Sequence, residues 1–402
     1  MKNVTICSHL ATSAGSSTAG VLAIVNLLSG QALLRLSVFA LGIMPYITAS
    51  IILQLLTVVI PRLETLKQEG QAGQAKITQY TRYLTVGLAV LQSTGYVELA
   101  RSGTLFNGCG SAGNNPIIPN DSVFTIATMV ICMVAGTTVI MWMGELITDR
   151  GVGNGMSVLI FTTVISVIPG EILAIYRSKS PFYAAVAILV VIAIVAFIVF
   201  MEQAQRRIPV QYAKRMVGRR MYGGTSTYIP MKVNQAGVIP VIFASSLLYI
   251  PTLAAQLFGS QSNPQGWVSW VDRYLVRGDS VFYSVAFFVL IVGFTYFYVS
   301  ITFNPTEVAD NMKKYGGFIP GIRPGRPTAE YLQYVLSRLT APGSVYLGII
   351  ALFPLVALSA AGVANQFPFS GVSLLIMVGV GLDTVKQIES QLQQRNYEGF
   401  LR

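Results

Sequence analysis

Apolar stretches of about 20 residues, separated by polar segments, make up roughly half of the chain. This is the length that an α-helix needs to cross the hydrocarbon core of a membrane. The stretches are continuous, without the apolar–polar alternation of barrel strands, and backbone groups in a bilayer must be hydrogen-bonded internally. We therefore predict an all-α, polytopic membrane bundle. Its nine spans cover residues 38–60, 80–100, 122–147, 155–176, 182–201, 236–258, 281–303, 343–361 and 371–389.

Composition agrees with this fold class. Hydrophobic residues make up 53% and charged residues 11% of the 402 residues, and the mean hydropathy is +0.61. Both values lie well outside the averages of soluble proteins. The segments between spans are too short or too polar to form a second sizeable domain, so we expect one polytopic unit.

The basic residues are distributed unequally between alternate loops. Twenty of the 27 Lys and Arg residues lie on the side that the first span reaches at its end. By the positive-inside rule this side is cytoplasmic. The cytoplasmic segments are then 61–82, 148–154, 203–232, 304–340 and the tail from 383. The N-terminal 37 residues fall on the opposite side, with no preceding span to carry them across.

The sequence offers few residues for metal or nucleophilic chemistry. Cys7, Cys109 and Cys132 have no metal-ligand spacing, and His9 is the only histidine. No HExxH, GxGD or Ser/His arrangement is present, and "DRGVGNG" at 149–155 has the wrong spacing for a nucleotide loop. We predict no cofactor, no metal and no enzyme activity.

One short motif occurs twice. Residues 42–50 read "GIMPYITAS" and residues 237–245 read "GVIPVIFAS". Counting spans places the first helix start outside and the second inside. The same local design then runs in opposite directions, which is typical of an inverted repeat.

The loops are more distinctive than the spans. They contain "GELITDRGVGNGMS", "QRRIPVQYAKR", "STYIPMKVNQAGVIPVIFASSLL" and "FNPTEVADNMKKYGGFIPGIRPGRPTAEYL". From about Val25 to the C-terminus the chain closely resembles the SecY family of protein-conducting channels. The family has ten spans in two inverted halves of five, and the nine spans here match its second to tenth. Truncation, a misassigned start and a genuine alteration are alternative explanations for the unmatched first span.

The resemblance implies a domain organisation and a function. Residues 1–37 would form an extracytoplasmic segment with a plug-like helix, 38–181 the first half, and 182–402 the second half with large basic loops at 203–235 and 304–342. The expected function is passage of unfolded polypeptides across the bacterial cytoplasmic membrane and sideways release of membrane segments into lipid.

Residue roles follow from the same resemblance, position by position. The pore ring matches Ile43, Ile47, Ile160, Val164, Ile242 and Ile376, with Val164 departing from the usual isoleucine. A narrow aliphatic ring can block ions by dewetting. The plug matches Val25, Asn26, Leu27, Leu28, Ser29, Gly30 and Arg35, although an interfacial amphipathic segment is the alternative interpretation.

Two further sets of residues match the lateral gate and the docking loops. The gate lies between the 38–60 and 236–258 helices, where Gln54 and Asn234 match polar family positions and an amide pair would stabilise the closed interface. For Asn234 the alternative is an amide satisfied at a helix end. Docking of the ribosome or the motor ATPase matches Arg323 on the turn "PGIRPG", and less directly Arg206, Lys214 and Arg215. For most of the loop bases the alternative role is topology and attraction to anionic lipid.

The partners implied by the family are the SecE and SecG subunits, the SecA motor, the ribosome, signal peptides, nascent chains and membrane lipid, with YidC and SecDF as further candidates. A secondary transporter is the alternative function, because it also uses inverted repeats. Transporters carry ionisable residues deep in their spans, whereas the acids here lie near span ends, among them Glu145, Asp149, Glu202 and Asp383. This distribution favours the channel.

Overall fold

The computed structural model describes the chain over most of the predicted spans. The described residues are 29–30, 32, 36–102, 122–151, 153–178, 181–212, 215–217, 220–222, 226–258, 266–271, 274, 280–360 and 371–395. Their helices are α1 (Met44–Val59), α2 (Pro61–Gln68), α3 (Gln71–Ser102), α4 (Val123–Arg150), α5 (Gly155–Ser178), α6 (Pro181–Gln203), α7 (Ile239–Phe258), α8 (Gly266–Val271), α9 (Val281–Thr302), α10 (Pro305–Lys314), α11 (Arg326–Ala360) and α12 (Gly371–Arg395). Their strands are β1 (Gln205–Tyr212), β2 (Arg215–Val217), β3 (Arg220–Tyr222), β4 (Ser226–Lys232) and β5 (Gly317–Phe318).

A helix covers each of the nine predicted spans. Within the described ranges, four helical segments are long and apolar enough by themselves to cross a membrane: Val123–Arg150, Val281–Lys314, Arg326–Phe353 and Gly371–Gln393. The bent pair α1 and α2 raises this to five. α5 and α7 each contain a proline, Pro169 and Pro251, and continue past it.

The first predicted span is shorter and more sharply ended than the 38–60 pattern suggests. Residues 38–43 form turns, and α1 begins only at Met44. Ile60 then adopts an extended backbone before Pro61, and α2 leaves at 104° to α1. Proline at the first turn of a helix is tolerated because its missing N–H would have no intrahelical partner there.

The repeated motif forms the same local structure at both of its positions. Gly42 has φ +54° and Gly237 has φ +60°, a left-handed conformation that glycine adopts without a Cβ penalty. A helix begins two residues later in each copy. The Ile43 carbonyl accepts hydrogen bonds from the backbone N–H of Tyr46 and Ile47, and the Val238 carbonyl accepts from Val241 and Ile242. The sequence repeat is therefore also a repeat of backbone conformation.

The apolar core runs through most of the bundle. One cluster of buried side chains joins residues of α1, α3, α4, α5, α6, α7, α9, α11 and α12. The predicted halves meet mainly at two seams besides the chain-adjacent pair α5 and α6. α5 packs against α12, and α7 packs against α1 and α3.

A second, smaller core lies at the end of the bundle that carries the strands, which we call the loop side. β1 pairs antiparallel with β4 and with β5, giving the order β4-β1-β5. Ile208 and Val210 of β1 and Met231 of β4 are buried against α10 and α11. The prediction of a helical membrane fold is confirmed, but it missed these strands. The alternation of Ile208 and Val210 with exposed neighbours was the available signal.

Gly237→Ala should lower the free energy of unfolding by about 1–2 kcal/mol, because an L-residue is strained in the left-handed region. The space around Gly237 is open, so backbone strain is the only expected effect. Gly293→Ala inside α9 is the matched control, since its site is also open and its φ is not in the positive range. Denaturant unfolding of both purified variants measures the difference. Equal midpoints would contradict the assigned role of Gly237.

Candidate pore closure and loop-side platform

The six positions matched to a pore ring are all buried. They are Ile43 (3% exposed), Ile47 (9%), Ile160 (4%), Val164 (1%), Ile242 (6%) and Ile376 (0%). We call them the aliphatic set. They come from the start of α1, from α5, from α7 and from α12, and all six belong to the same apolar cluster. The set therefore includes helices from both predicted halves.

The chemistry of the aliphatic set is uniform. Every member is β-branched, and branching restricts the side-chain rotamers at χ1. Rigid apolar groups packed from four helices leave no polar partner for water or ions. Such an arrangement can seal a passage when empty and can yield to an extended chain without forming specific bonds to it.

The repeat places Ile47 and Ile242 at equivalent points. Each lies five residues after the left-handed glycine, and each donates its backbone N–H to the carbonyl of the first residue after that glycine. Ala49 and Ala244, two residues further on, are both fully buried. The two helix starts thus present one isoleucine each to the same cluster, in the same local geometry.

The predicted plug is described only in part. Ser29 is buried, and Gly30 approaches α5, since a Cβ at Gly30 would lie 3.9 Å from the side chain of Thr163. Thr163 neighbours Val164 of the aliphatic set in sequence. The other plug residues lie outside the described part of the chain: Val25, Asn26, Leu27, Leu28 and Arg35.

The two amides predicted at the lateral gate are not paired with each other. Gln54 is exposed on α1. The Asn234 side chain is 3% exposed and donates its Nδ2 to Glu202 Oε1 at 2.6 Å and to the Gly237 carbonyl at 3.3 Å. The Asn234 Nδ2 group is therefore hydrogen-bonded beside a helix start, as in the alternative interpretation of this residue, while its Oδ1 has no partner among the described residues. A carboxylate at the end of α6 attracts the amide more strongly than a neutral glutamine would.

The two basic loops form one unit, which we call the loop-side platform: β1, β4, β5, α10 and the turn 319–325. Gln211 and Tyr212 of β1 pair with Phe318 and Gly317 of β5, which joins segments about one hundred residues apart. Arg206 is exposed on β1. Lys214 lies outside the described residues, and Arg215 begins β2.

Arg323 is exposed on a constrained turn of the platform. Gly321 and Gly325 on either side have φ +85° and +102°. The Arg323 carbonyl accepts a hydrogen bond from Thr328 Oγ1 at 2.9 Å, and Ile322 N–H donates to the Ile319 carbonyl. The backbone is held while the guanidinium projects into solvent, which suits recognition of an acidic or phosphate group.

Two acids have partners that the sequence did not reveal. Glu145 of α4 accepts two short hydrogen bonds from Arg82 of α3, each 2.8 Å, and Glu202 accepts from Asn234. In the sequence both acids served only as markers of span ends. Their position next to a loop was visible there, but their partners lie 63 and 32 residues away and follow from packing alone.

The chain is thus a multi-spanning helical membrane protein that buries branched aliphatic side chains from both halves in one cluster. The family model described as SecY matches residues 37–385. The chain belongs to the SecY family.

Curated relatives agree with this assignment. The chain is 65% identical over 405 residues to the protein translocase subunit SecY of Streptomyces galbus, covering 100% of this chain and 91% of that protein. It is 60% identical over 387 residues to the protein of the same name from Mycobacterium tuberculosis, covering 95% of this chain and 87% of that protein.

Solved structures show the same fold at lower sequence identity. A structure described as that of a protein conducting channel superposes with a TM-score of 0.63 at 17% identity, covering 97% of this chain and 91% of the other. Sec61 in a canine ribosome-channel complex gives a TM-score of 0.57 at 17% identity, covering 87% and 81%.

Proposed function

We propose that this chain is the pore-forming subunit of a protein-conducting channel, which passes unfolded polypeptides across a membrane and releases apolar segments sideways into lipid. The observation that carries the proposal is the burial of the six-residue aliphatic set in one cluster contributed by both halves. The chain is a multi-pass membrane protein of a family of channel subunits, and the proposal gives its parts their roles.

The aliphatic set is the closure of the resting pore. Water is expelled from a narrow apolar constriction, so ions have no hydrated path through it. A translocating chain fills the constriction with its own side chains and needs no specific bonds. The segment containing Ser29 and Gly30 supports the closure from the side of Thr163, as the plug.

The seam at α7 is the lateral exit. α7 contacts α1 and α3 across it, whereas α5 and α12 form the other seam between the halves. The motif copies at the starts of α1 and α7 lie on opposite sides of this seam. Gln54, exposed on α1, is available to an apolar segment that enters there.

The loop-side platform binds the motor or the ribosome that drives translocation. Its basic residues Arg206 and Arg323 are exposed on a sheet and a turn that are rigidly joined. Bases so held can meet acidic groups of the SecA motor or phosphates of ribosomal RNA. Lys214 and Arg215 extend the same surface in sequence.

The membrane, its orientation and the partners follow from the family and the charges. We place the chain in the bacterial cytoplasmic membrane with the loop-side platform and the C-terminus in the cytoplasm, because most Lys and Arg residues lie on that side. The SecE and SecG subunits complete the channel. SecA, the ribosome, signal peptides and nascent chains act on it, with YidC and SecDF as further partners.

A secondary transporter fits the structure less well. Such a protein needs ionisable groups at a substrate site near the midplane. Glu145 is paired with Arg82, Asp383 is paired with Lys232, and Glu202 is bonded to Asn234. Glu145 and Glu202 lie near the ends of α4 and α6, and Asp383 joins α12 to the end of β4.

Vesicles that contain the chain with its partner subunits test the channel. They should take up an unfolded precursor in the presence of motor and ATP, and remain tight to ions at rest. Vesicles that take up no precursor although the complex is assembled would refute the proposed function.

Ile242→Asn should raise the resting ion conductance of these vesicles at least about fivefold, because a buried, unpartnered amide destabilises the closed state by about 1–3 kcal/mol. Ile131→Asn is the matched control, since Ile131 is 66% exposed on α4 and lies outside the aliphatic set. If Ile242→Asn stays as tight as the parent while precursor uptake continues, the closure lies elsewhere.

Arg323→Glu should reduce motor-driven translocation by about tenfold, as expected when one partner of a recognition charge pair is reversed. Arg326→Glu, three residues away, is the control, because Arg326 is exposed and pairs only with Glu330 of its own helix within the described part of the chain. Precursor uptake measured at equal amounts of assembled complex compares the two variants. Equal uptake for both would remove Arg323 from the docking surface.

A further inference from the structure

A buried carboxyl group lies next to the N-terminal end of α7. This is the helix that moves when the proposed lateral exit opens. Glu202 is the penultimate residue of α6 and is 8% exposed, although carboxylates are rarely buried without a partner. Its partner is the amide of Asn234, with Nδ2 and Oε1 2.6 Å apart. Asn234 precedes α7 by five residues, so this bond connects α6 to the start of the gate helix.

The segment around Asn234 is attached to its surroundings at several points. The Val233 backbone N–H donates to the Ala204 carbonyl at 3.0 Å. On the other side, Gly343 of α11 approaches so closely that a Cβ there would lie 2.4 Å from the Val233 carbonyl oxygen. The Asn234 amide also donates to the Gly237 carbonyl, which holds the left-handed turn that leads into α7.

The bond to Glu202 joins two side chains, whereas the other hydrogen bonds of this attachment involve a backbone carbonyl. Its acceptor is a carboxyl group and both residues are buried, the condition in which the loss of a hydrogen bond is most damaging. Lys232, the nearest base in sequence, is engaged with Asp383 of α12 at 3.1 Å. The Asn234 Oδ1 atom is buried without a hydrogen-bond partner among the described residues, so the amide contributes its donor side to the contact.

We infer that Glu202 is a positioning residue for the gate. Through Asn234 it fixes the segment before α7 to the end of α6. When the channel opens and closes, α7 then tilts about Gly237, and Ile242 returns to the aliphatic set on closing. The inference rests on the proposed function. It reassigns Asn234 from a contact across the gate to an anchor within the second half. Ile242 lies only eight residues after Asn234. A displacement of the N-terminal end of α7 would therefore also shift the Ile242 side chain.

Substitutions at the two partners test the bond itself. Glu202→Leu removes the acceptor, and the resting ion conductance of assembled channels should rise roughly tenfold, as for loss of a buried hydrogen bond to a charged group. Glu202→Gln keeps an acceptor for Nδ2 and adds a donor for the free Oδ1, so it should remain close to the parent. Asp383→Asn is the control, because it breaks the nearby exposed ion pair, and such pairs contribute little.

A double variant in which the donor and the acceptor exchange places, which we call the reversed pair, distinguishes a positioning role of this bond from a role in folding. Asn234→Asp alone places two carboxylates together and should leak. Asn234→Asp combined with Glu202→Gln restores one donor and one acceptor with their directions exchanged, and should recover the resting seal. A second readout is uptake of a precursor with a weakened signal sequence, which should rise in the leaky variants and return to the parental level in the reversed pair.

The outcomes distinguish the inference from the proposed function. A parent complex that fails to translocate refutes the channel and leaves the anchor untouched as a structural contact. A translocating parent whose Glu202→Leu variant assembles normally and remains both tight and selective overturns the anchor. A reversed pair that assembles normally but leaks as much as Asn234→Asp overturns it equally, since the bond would then not be what sets the position of α7.

Discussion

A lipid bilayer offers no hydrogen-bonding partner to a backbone N–H or C=O, and this constraint shapes the molecule. It requires helices wherever the chain crosses, and it permits breaks only where neighbouring segments supply contacts. The turns at Gly42 and Gly237, where the chain is not helical, are consistent with this constraint. Each is followed at once by a helix whose first free N–H groups are taken by a carbonyl of the turn, and each lies beside buried members of the apolar cluster.

The same constraint accounts for the aliphatic character of the closure that we propose. A polar closure would need partners for every group in both the open and the closed state, and a buried group without one is unfavourable by about 1–3 kcal/mol. Branched aliphatic side chains carry no such requirement. In the proposed channel the aliphatic set parts and meets again with only dispersion contacts changing.

Outside the bilayer the backbone hydrogen bonds are made partly in a β-sheet. Between α6 and α7 it forms a sheet instead of a helix, and that sheet, with its own apolar core, joins loops distant in sequence. Buried polar contacts such as that of Glu202 with Asn234 occur at the boundary, where one residue belongs to a spanning helix and the other to the platform. This contact therefore joins the proposed gate helix to the proposed docking platform.

The sequence by itself determined the helical membrane class, because nine apolar stretches of span length leave no other solution, and its loop motifs identified the family. The repeated "G-x-x-P" pattern indicated two equivalent helix starts, and the backbone has them, because a left-handed glycine and an early proline are local requirements. Only tertiary structure decided the partners of Asn234, Glu145 and Glu202, the joining of the two basic loops and the pairing of helices at the two seams. These depend on which helices lie side by side, and the apolar periodicity of a membrane helix carries little of that information, since its lipid-facing and buried sides are almost equally hydrophobic.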